Sequence, residues 1–324
     1  TDGVFVSNKT AYGILKTTIS DLTIFQEIHT SCPLSNNAFT IAAVANNVWV
    51  TYGDYTISYN PFPLRRKGFS HLNGEEWNNI TYDSIFGALN LNKINVNPLN
   101  PSKVYISSFV SGLLELDNYN IPTILYNPDN SSFVSSWSGG IDIRNAGSII
   151  KNNILWCTNA KILTPLISHN LETGECKSYD FSEIIFNSNT EIGYGSIDVD
   201  NDGIVWVGGH RKGIIGYKPE TGEIKNIESE EQNIPAPSVR TVKVDKQNYI
   251  WFGTDKGLRV IYDVDAFFED SNYQPSEIIV LDNGIASELL FQQYVTDIEV
   301  DGANNKCVAT LATGDYYLSS DAQD

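Results

Sequence analysis

Residues 197–217 read IDVDNDGIVWVGGHRKGIIGY, and the chain repeats that pattern twice. Residues 242–262 read VKVDKQNYIWFGTDKGLRVIY, and residues 298–318 read IEVDGANNKCVATLATGDYYL. In each copy an Asp ends an apolar run (Asp200, Asp245, Asp301), and six residues later stands Trp206, Trp251 or Cys307. Gly209, Thr254 or Thr310 follows three further on, with Gly213, Gly257 or Gly314 after it. A β-rich unit repeating at this length, punctuated by tight turns, predicts an all-β fold, a β-propeller of four-stranded antiparallel blades. The strands are continuous apolar runs (Ile204, Val205, Trp206, Val207), as expected of sheets covered on both faces.

Working outward, further units are expected over residues 39–82, 91–126, 139–180, 195–227, 239–283 and 296–324, with part of another over 1–38. That count predicts seven blades in one propeller domain spanning 1–324. Asp202-Gly203, Gly222-Glu223 and Asn73-Gly74 mark hairpin turns. The stretch TIFQEIHT (23–30) reads as an outer strand, and the insertion DVDAFFEDSNYQPSE (263–277) as a loop with one helical turn. The chain opens and closes in mid-blade, without an initiator Met, and reads as an excerpt of a longer secreted polypeptide.

Composition sets bounds on function. The 324 residues include 17 Tyr, 14 Phe and 6 Trp, ample for one large core. They carry 21 basic against 39 acidic residues, a net charge of −18 that repels nucleic acid and anionic lipid. No apolar run reaches the roughly 18 residues of a membrane-crossing helix. Cys32, Cys157, Cys176 and Cys307 have no zinc spacing. Cys157 and Cys307 read as buried packing residues, and Cys157 and Cys176 as strand residues with a strand between them, too far apart for a disulfide.

Chemistry-bearing motifs are sparse. Asp198, Asp200 and Asp202 open like a calcium loop, but the closing acidic position is Gly209, so the segment reads as a hairpin turn. His29, His71, His169 and His210 come from different blades without metal or triad spacing. No acid, base and metal set converges, so the expectation is a protein that is not an enzyme and needs no cofactor. Basic loops in an acidic chain are more suggestive. Arg65, Arg66 and Lys67 sit in one loop joining a second to a third strand, and His210, Arg211 and Lys212 in another. Such loops emerge on one face of a propeller. With Tyr52, Tyr55 and Tyr59 they are expected to form a cationic, aromatic surface suited to an anionic carbohydrate or an acidic protein.

The blade sentence, over IDVDNDGIVWVGG, VKVDKQNYIWFGTDKGLRVIY and IEVDGANNKCVAT, resembles the two-component-regulator propeller repeat of Bacteroidetes. Longer stretches over 46–84, 124–132 with 154–159, and 295–320 are similar to the PorZ-type family of type IX secretion systems. The resemblance implies a non-catalytic scaffold and recognition module on the outer surface of the bacterial outer membrane. It implies a multidomain parent, partners among a sortase-like protease and outer-membrane barrels, and recognition of anionic lipopolysaccharide. The alternative is the periplasmic, carbohydrate-sensing propeller of a hybrid two-component sensor kinase.

Overall fold

The computed structural model describes residues 3–7, 14–28, 32–282 and 285–320. Its strands form up-and-down antiparallel sheets. The first blade is Thr40–Val44, Asn47–Thr51, Phe69–Asn73 and Glu76–Ile80. The second is Leu91–Val96, Val104–Ser108, Gly112–Asp117 and Ile121–Tyr126. The third is Ser148–Lys151, Ile154–Thr158, Leu166–Asn170 and Cys176–Tyr179, and the fourth Tyr194–Val199, Val205–Gly209, Ile214–Tyr217 and Ile224–Ile227. A fifth has three strands, Val239–Val244, Ile250–Thr254 and Gly257–Ile261, with one bridge from Val260 to Ser276 at its outer edge. The sixth is Val295–Val300, Lys306–Thr310 and Asp315–Leu318.

First strands of successive blades lie side by side from the first blade to the sixth, so they surround a common axis. Where the sequence predicts seven blades, six are described. A further three-stranded sheet, Gly3–Ser7, Ile14–Thr18 and Asp21–Ile28, contains the expected outer strand as far as Ile28. His29 lies outside the described residues. Four strands per blade hold for the first four blades. The third blade starts at Ser148, because residues 141–147 form a loop rather than a strand.

The core is divided among the blade interfaces. Trp49 and Phe69 meet Leu91, Ile106 and Leu114 between the first two blades. Trp156 and Leu166 meet Val199, Val205 and Val207 between the third and fourth. Trp206 and Ile214 meet Val242, Ile250 and Phe252 between the fourth and fifth, and Trp251 and Val260 meet Ile298 and Val308 between the fifth and sixth. The middle strands of the fourth and fifth blades are therefore covered on both sides, which accounts for their unbroken apolar runs.

The repeated Asp and Trp are one hydrogen-bonded unit. Asp200 Oδ1 accepts the Asp202 and Ile204 N–H groups (3.0 and 2.9 Å), and Oδ2 accepts the Trp206 indole N–H (2.9 Å). Asp245 does the same for Gln247, Tyr249 and Trp251 (2.9, 3.0 and 3.0 Å). Asp198 accepts the Val199 and Val244 N–H groups. These carboxylates thus tie turns, neighbouring strands and indoles together. The insertion forms the helix Val264–Glu269, capped by Asp263 accepting the Ala266 N–H, and its Phe267 and Phe268 pack on Trp206.

The thiols correct one expectation. Cys157 is buried and Cys176, two strands away, is partly exposed; neither forms a disulfide among the described residues. Cys307 is exposed rather than buried. Lys306, one residue earlier, is fully buried on the side facing the fifth blade, whereas Cys307 points to the opposite side, which no described neighbour covers.

Candidate functional site

Because each blade runs up and down, the loops joining second to third strands all leave one end of the ring. In the six blades those loops hold seven basic residues (Arg65, Arg66, Lys67, Lys161, Arg211, Lys212, Lys256) and two acidic ones, Asp54 and Asp255. The loops joining first to second strands, at the opposite end, hold Asp200, Asp202, Asp245 and Asp301 against Lys103 and Lys246. The second-to-third loops are therefore locally basic in an acidic chain, while the connectors between the first five blades, which leave the same end, hold nine acidic residues against Arg144.

The long loop of residues 52–68 organises that end. Tyr59 is fully buried, although it lies in a loop. Its ring stacks with Tyr55 (5.4 Å between centroids), and Tyr55 stacks on Phe109 of the second blade (4.4 Å). Arg240 of the fifth blade lies over the Tyr59 ring at 5.1 Å, and His210 meets it edge-on at 5.6 Å. Arg144, leading into the third blade, donates to the Tyr59 carbonyl at 3.0 Å. A residue from the first blade that touches loops and strands of the second to fifth must reach over the axis. Tyr59 is thus a plug at the end of the ring that carries the second-to-third loops, and burial pushes its phenol up to about 12. Beneath it, Thr40, Asn92, Ser148, Ser196, Arg240 and Asp297 line an axial cavity of about 170 Å³.

The predicted site residues divide into two groups. Tyr52, Tyr55, Tyr59 and His210 belong to the packing of the face. Tyr52 is buried with its hydroxyl on Ser70 Oγ (2.7 Å), and burial raises its pKa. The expectation that Tyr52 and Tyr59 offer open aromatic surfaces is therefore corrected: both rings turn inward. His210 is half-buried, its Nδ1 has no hydrogen-bond partner among the described residues, and burial lowers its pKa, assisted by Arg240 and Arg211. Arg65 is held by Asp54 (3.0 Å), Lys212 by Glu228 (3.1 Å), and Lys67 lies 3.3 Å from Ser35 Oγ. Tyr52, Asp54, Arg65 and Lys67 line a cleft of about 140 Å³, room for one small group. Arg66 and Arg211 are exposed, with no side-chain partner among the described residues.

Three residues that sequence reading missed are structural partners of this face. Arg240 is clamped by Asp255 (2.6 Å) between Tyr59 and Tyr294, and Arg144 by Asp142 (3.1 Å). Glu191 is fully buried and accepts the backbone N–H groups of His210 and Arg211 (2.9 and 2.8 Å), holding the basic turn in place. Burial raises its carboxyl to about 7 despite those donors. In the sequence Arg144 and Glu191 are charges near Gly residues, and Arg240 is one of two charges, with Lys243, in an otherwise uncharged strand.

The ring of antiparallel blades around a plugged axis defines a β-propeller. No family model matches the chain. The structure is similar to PorZ, a bacterial surface component of the type IX secretion system of Porphyromonas gingivalis, with a TM-score of 0.80. That match has 16% identity and covers 97% of this chain and 44% of PorZ. The extracellular domain of a putative hybrid two-component system from B. thetaiotaomicron matches with a TM-score of 0.58 and 15% identity, over 98% of this chain and 39% of that one. Virginiamycin B lyase of Staphylococcus aureus shares the fold at 0.55 and 14% identity, over 86% of this chain and 93% of the lyase. By sequence, Histidine kinase P4 of Formosa agariphila is 27% identical over 115 residues, 35% of this chain and 8% of the kinase. The chain thus spans under half of PorZ and a small part of that kinase.

Proposed function

We propose that this propeller is a non-catalytic scaffold and recognition module of a type IX secretion attachment complex at the outer-membrane surface. Its partners are a sortase-like protease and outer-membrane barrel proteins, and its basic loop end faces anionic lipopolysaccharide or an acidic partner. The observation carrying this reading is the likeness to PorZ over 97% of the chain. The concentration of basic residues on one set of loops supports the choice of face.

We infer that the ring closes as seven blades, with the sheet of Gly3–Ser7, Ile14–Thr18 and Asp21–Ile28 as the seventh. Ile41 and Ala43, on the side of the first blade turned away from the second, are exposed, as is Cys307 on the side of the sixth turned away from the fifth. The connecting residues pass beside the first blade: Leu34 N–H donates to Ser70 Oγ, and Asn79 donates to the Cys32 carbonyl.

Affinity purification of the tagged parent protein from the native bacterium tests the assignment. Co-recovery of a sortase-like protease and outer-membrane barrels supports it, and loss of that recovery in R66E/R211E assigns the face. Unchanged recovery in the variant retains the function and rejects the face. The second reading, a sensor propeller, is favoured by the kinase and two-component matches. Recovery of a kinase-bearing homodimer alone would select it.

A further inference from the structure

We propose that Trp137 is a preformed stacking platform for a pyranose ring, a glycan subsite on the end of the propeller that carries the basic second-to-third loops. This deepens the recognition reading above and rests on it for the face, not for the residue. Of the six tryptophans, Trp49, Trp156, Trp206 and Trp251 are core residues, whereas Trp137 is 61% exposed. It lies in residues 127–147, which join the second blade to the third and so emerge at the same end as the basic loops.

A single exposed apolar side chain is ordinary. What sets Trp137 apart is how it is held. The indole lies against Gly139 and Gly140, where an added Cβ would sit 2.5 and 2.6 Å from ring carbons, so any larger residue displaces the ring. Ser135 Oγ cross-braces the loop: it accepts the Trp137 and Asp142 N–H groups (3.2 and 3.0 Å) and lies within donating distance of the Trp137 and Gly140 carbonyls (2.9 and 2.8 Å). Ser136 Oγ bonds Asp142 (2.8 Å), Asp142 pairs with Arg144, and Arg144 donates to the Tyr59 carbonyl. The platform is therefore tied through one ion pair to the axial plug.

The surroundings select the ligand. The indole N–H has no acceptor among the described residues, and exposed Ser138, Gly139 and Gly140 offer hydroxyl and peptide groups beside the ring. Val134 and Ile141, each less than half exposed, flank it. A pyranose ring combines a face of polarised C–H groups with a hydroxyl rim. It matches an electron-rich indole face bordered by hydrogen-bonding groups. Rigid presentation means that little side-chain entropy is lost on binding. The free cations Arg66 and Arg211 on the same end then add charge recognition, so stacking and charge are carried by different residues.

The test uses the full-length protein and delipidated surface polysaccharide of the native bacterium, separated by ion exchange into neutral and anionic fractions. Binding is followed by isothermal calorimetry at two salt concentrations. W137A is expected to weaken binding at least about tenfold at both salt concentrations, the loss expected of an anchor aromatic. W137F, which keeps a ring, should restore most of it, and G140A should weaken binding with Trp137 intact. R66E/R211E should weaken the anionic fraction mainly at low salt. Melting temperatures within a degree or two of wild type exclude unfolding. If W137A binds like wild type while R66E/R211E does not, the platform is rejected and the basic face stands. If W137A fails and R66E/R211E binds normally, the platform stands and the charge reading falls. Absence of polysaccharide binding by the wild type, or loss of a protein partner alone in W137A, overturns the proposal.

Discussion

The fourth and fifth blades contain the same latch with nearly the same geometry, yet its carboxyl group behaves oppositely in the two. Asp200 and Asp245 each hold two turn N–H groups and one indole N–H at 2.9–3.0 Å. Burial raises the Asp200 pKa. Burial also pushes Asp245 upward, but Lys306 reverses the balance and its pKa ends below the usual value. Lys306 stands where the sister blades carry Val205 and Ile250. It is fully buried, 3.0 Å from Asp245 Oδ2 and 4.6 Å above the Trp251 ring, and its ammonium also donates to the Ser320 carbonyl. The cation thus covers Trp251 as Ile250 helps to cover Trp206. Identical motifs do not imply identical electrostatics, because the deciding group comes from the next blade.

The largest effect should come from breaking that difference. Lys306→Met leaves a buried carboxylate without its partner and is expected to destabilise by about 3–5 kcal/mol in denaturant unfolding. It should also erase a limb of the pH profile. The folded pKa of Asp245 is depressed, so its stabilisation is present above the ordinary carboxyl pKa and lost as pH falls through the folded value. A wild-type acid limb that survives in Lys306→Met would reject this account.

Glu191 provides a contrast of opposite sign. Its folded pKa of about 7 lies above the ordinary 4.5, so its contribution is fully present below 4.5 and lost as pH rises to about 7. Glu191→Gln should flatten stability between those values, removing a change of up to about 3 kcal/mol. Unfolding curves of both proteins at pH 5 and 7.5 measure it.

Trp206→Phe leaves Asp200 Oδ2 without its indole donor and should cost about 1–3 kcal/mol of stability. Trp251→Phe should lose less through its carboxylate, since Lys306 still holds Asp245, and equal losses from this hydrogen bond would remove the distinction. Smallest of all, Cys307→Ala should cost about 1 kcal/mol, because closure of the ring by the seventh sheet covers that side chain, and a change within about 0.5 kcal/mol, as at an open surface, would reject the closure.

The blade unit was legible because its signals are local: an Asp six residues before a Trp, a turn Gly, and an apolar run. The helical turn in the 263–277 insertion was legible for the same reason. At Cys307 alignment with Trp206 and Trp251 suggested burial, but those indoles pack on the following blade, and no described blade follows the sixth on that side. At the candidate site, the end of the ring carrying Arg66 and Arg211 followed from loop order alone. The direction of Tyr52 and Tyr59 did not, since an aromatic in a long loop can turn outward or inward with the same sequence around it.

The sequence by itself determined the repeating antiparallel blade, its latch and the end of the ring where basic loops gather, since neighbouring residues and strand order set these. Only the tertiary structure decided that Tyr59 plugs the axis between Arg240 and His210, that Lys306 reaches back to Asp245, and that Trp137 rests outward on two glycines. The first two are meetings of residues from different blades, and Trp137 is set by a loop braced through Arg144 to the plug. Local chemistry leaves all three undecided until the blades are assembled around a common axis.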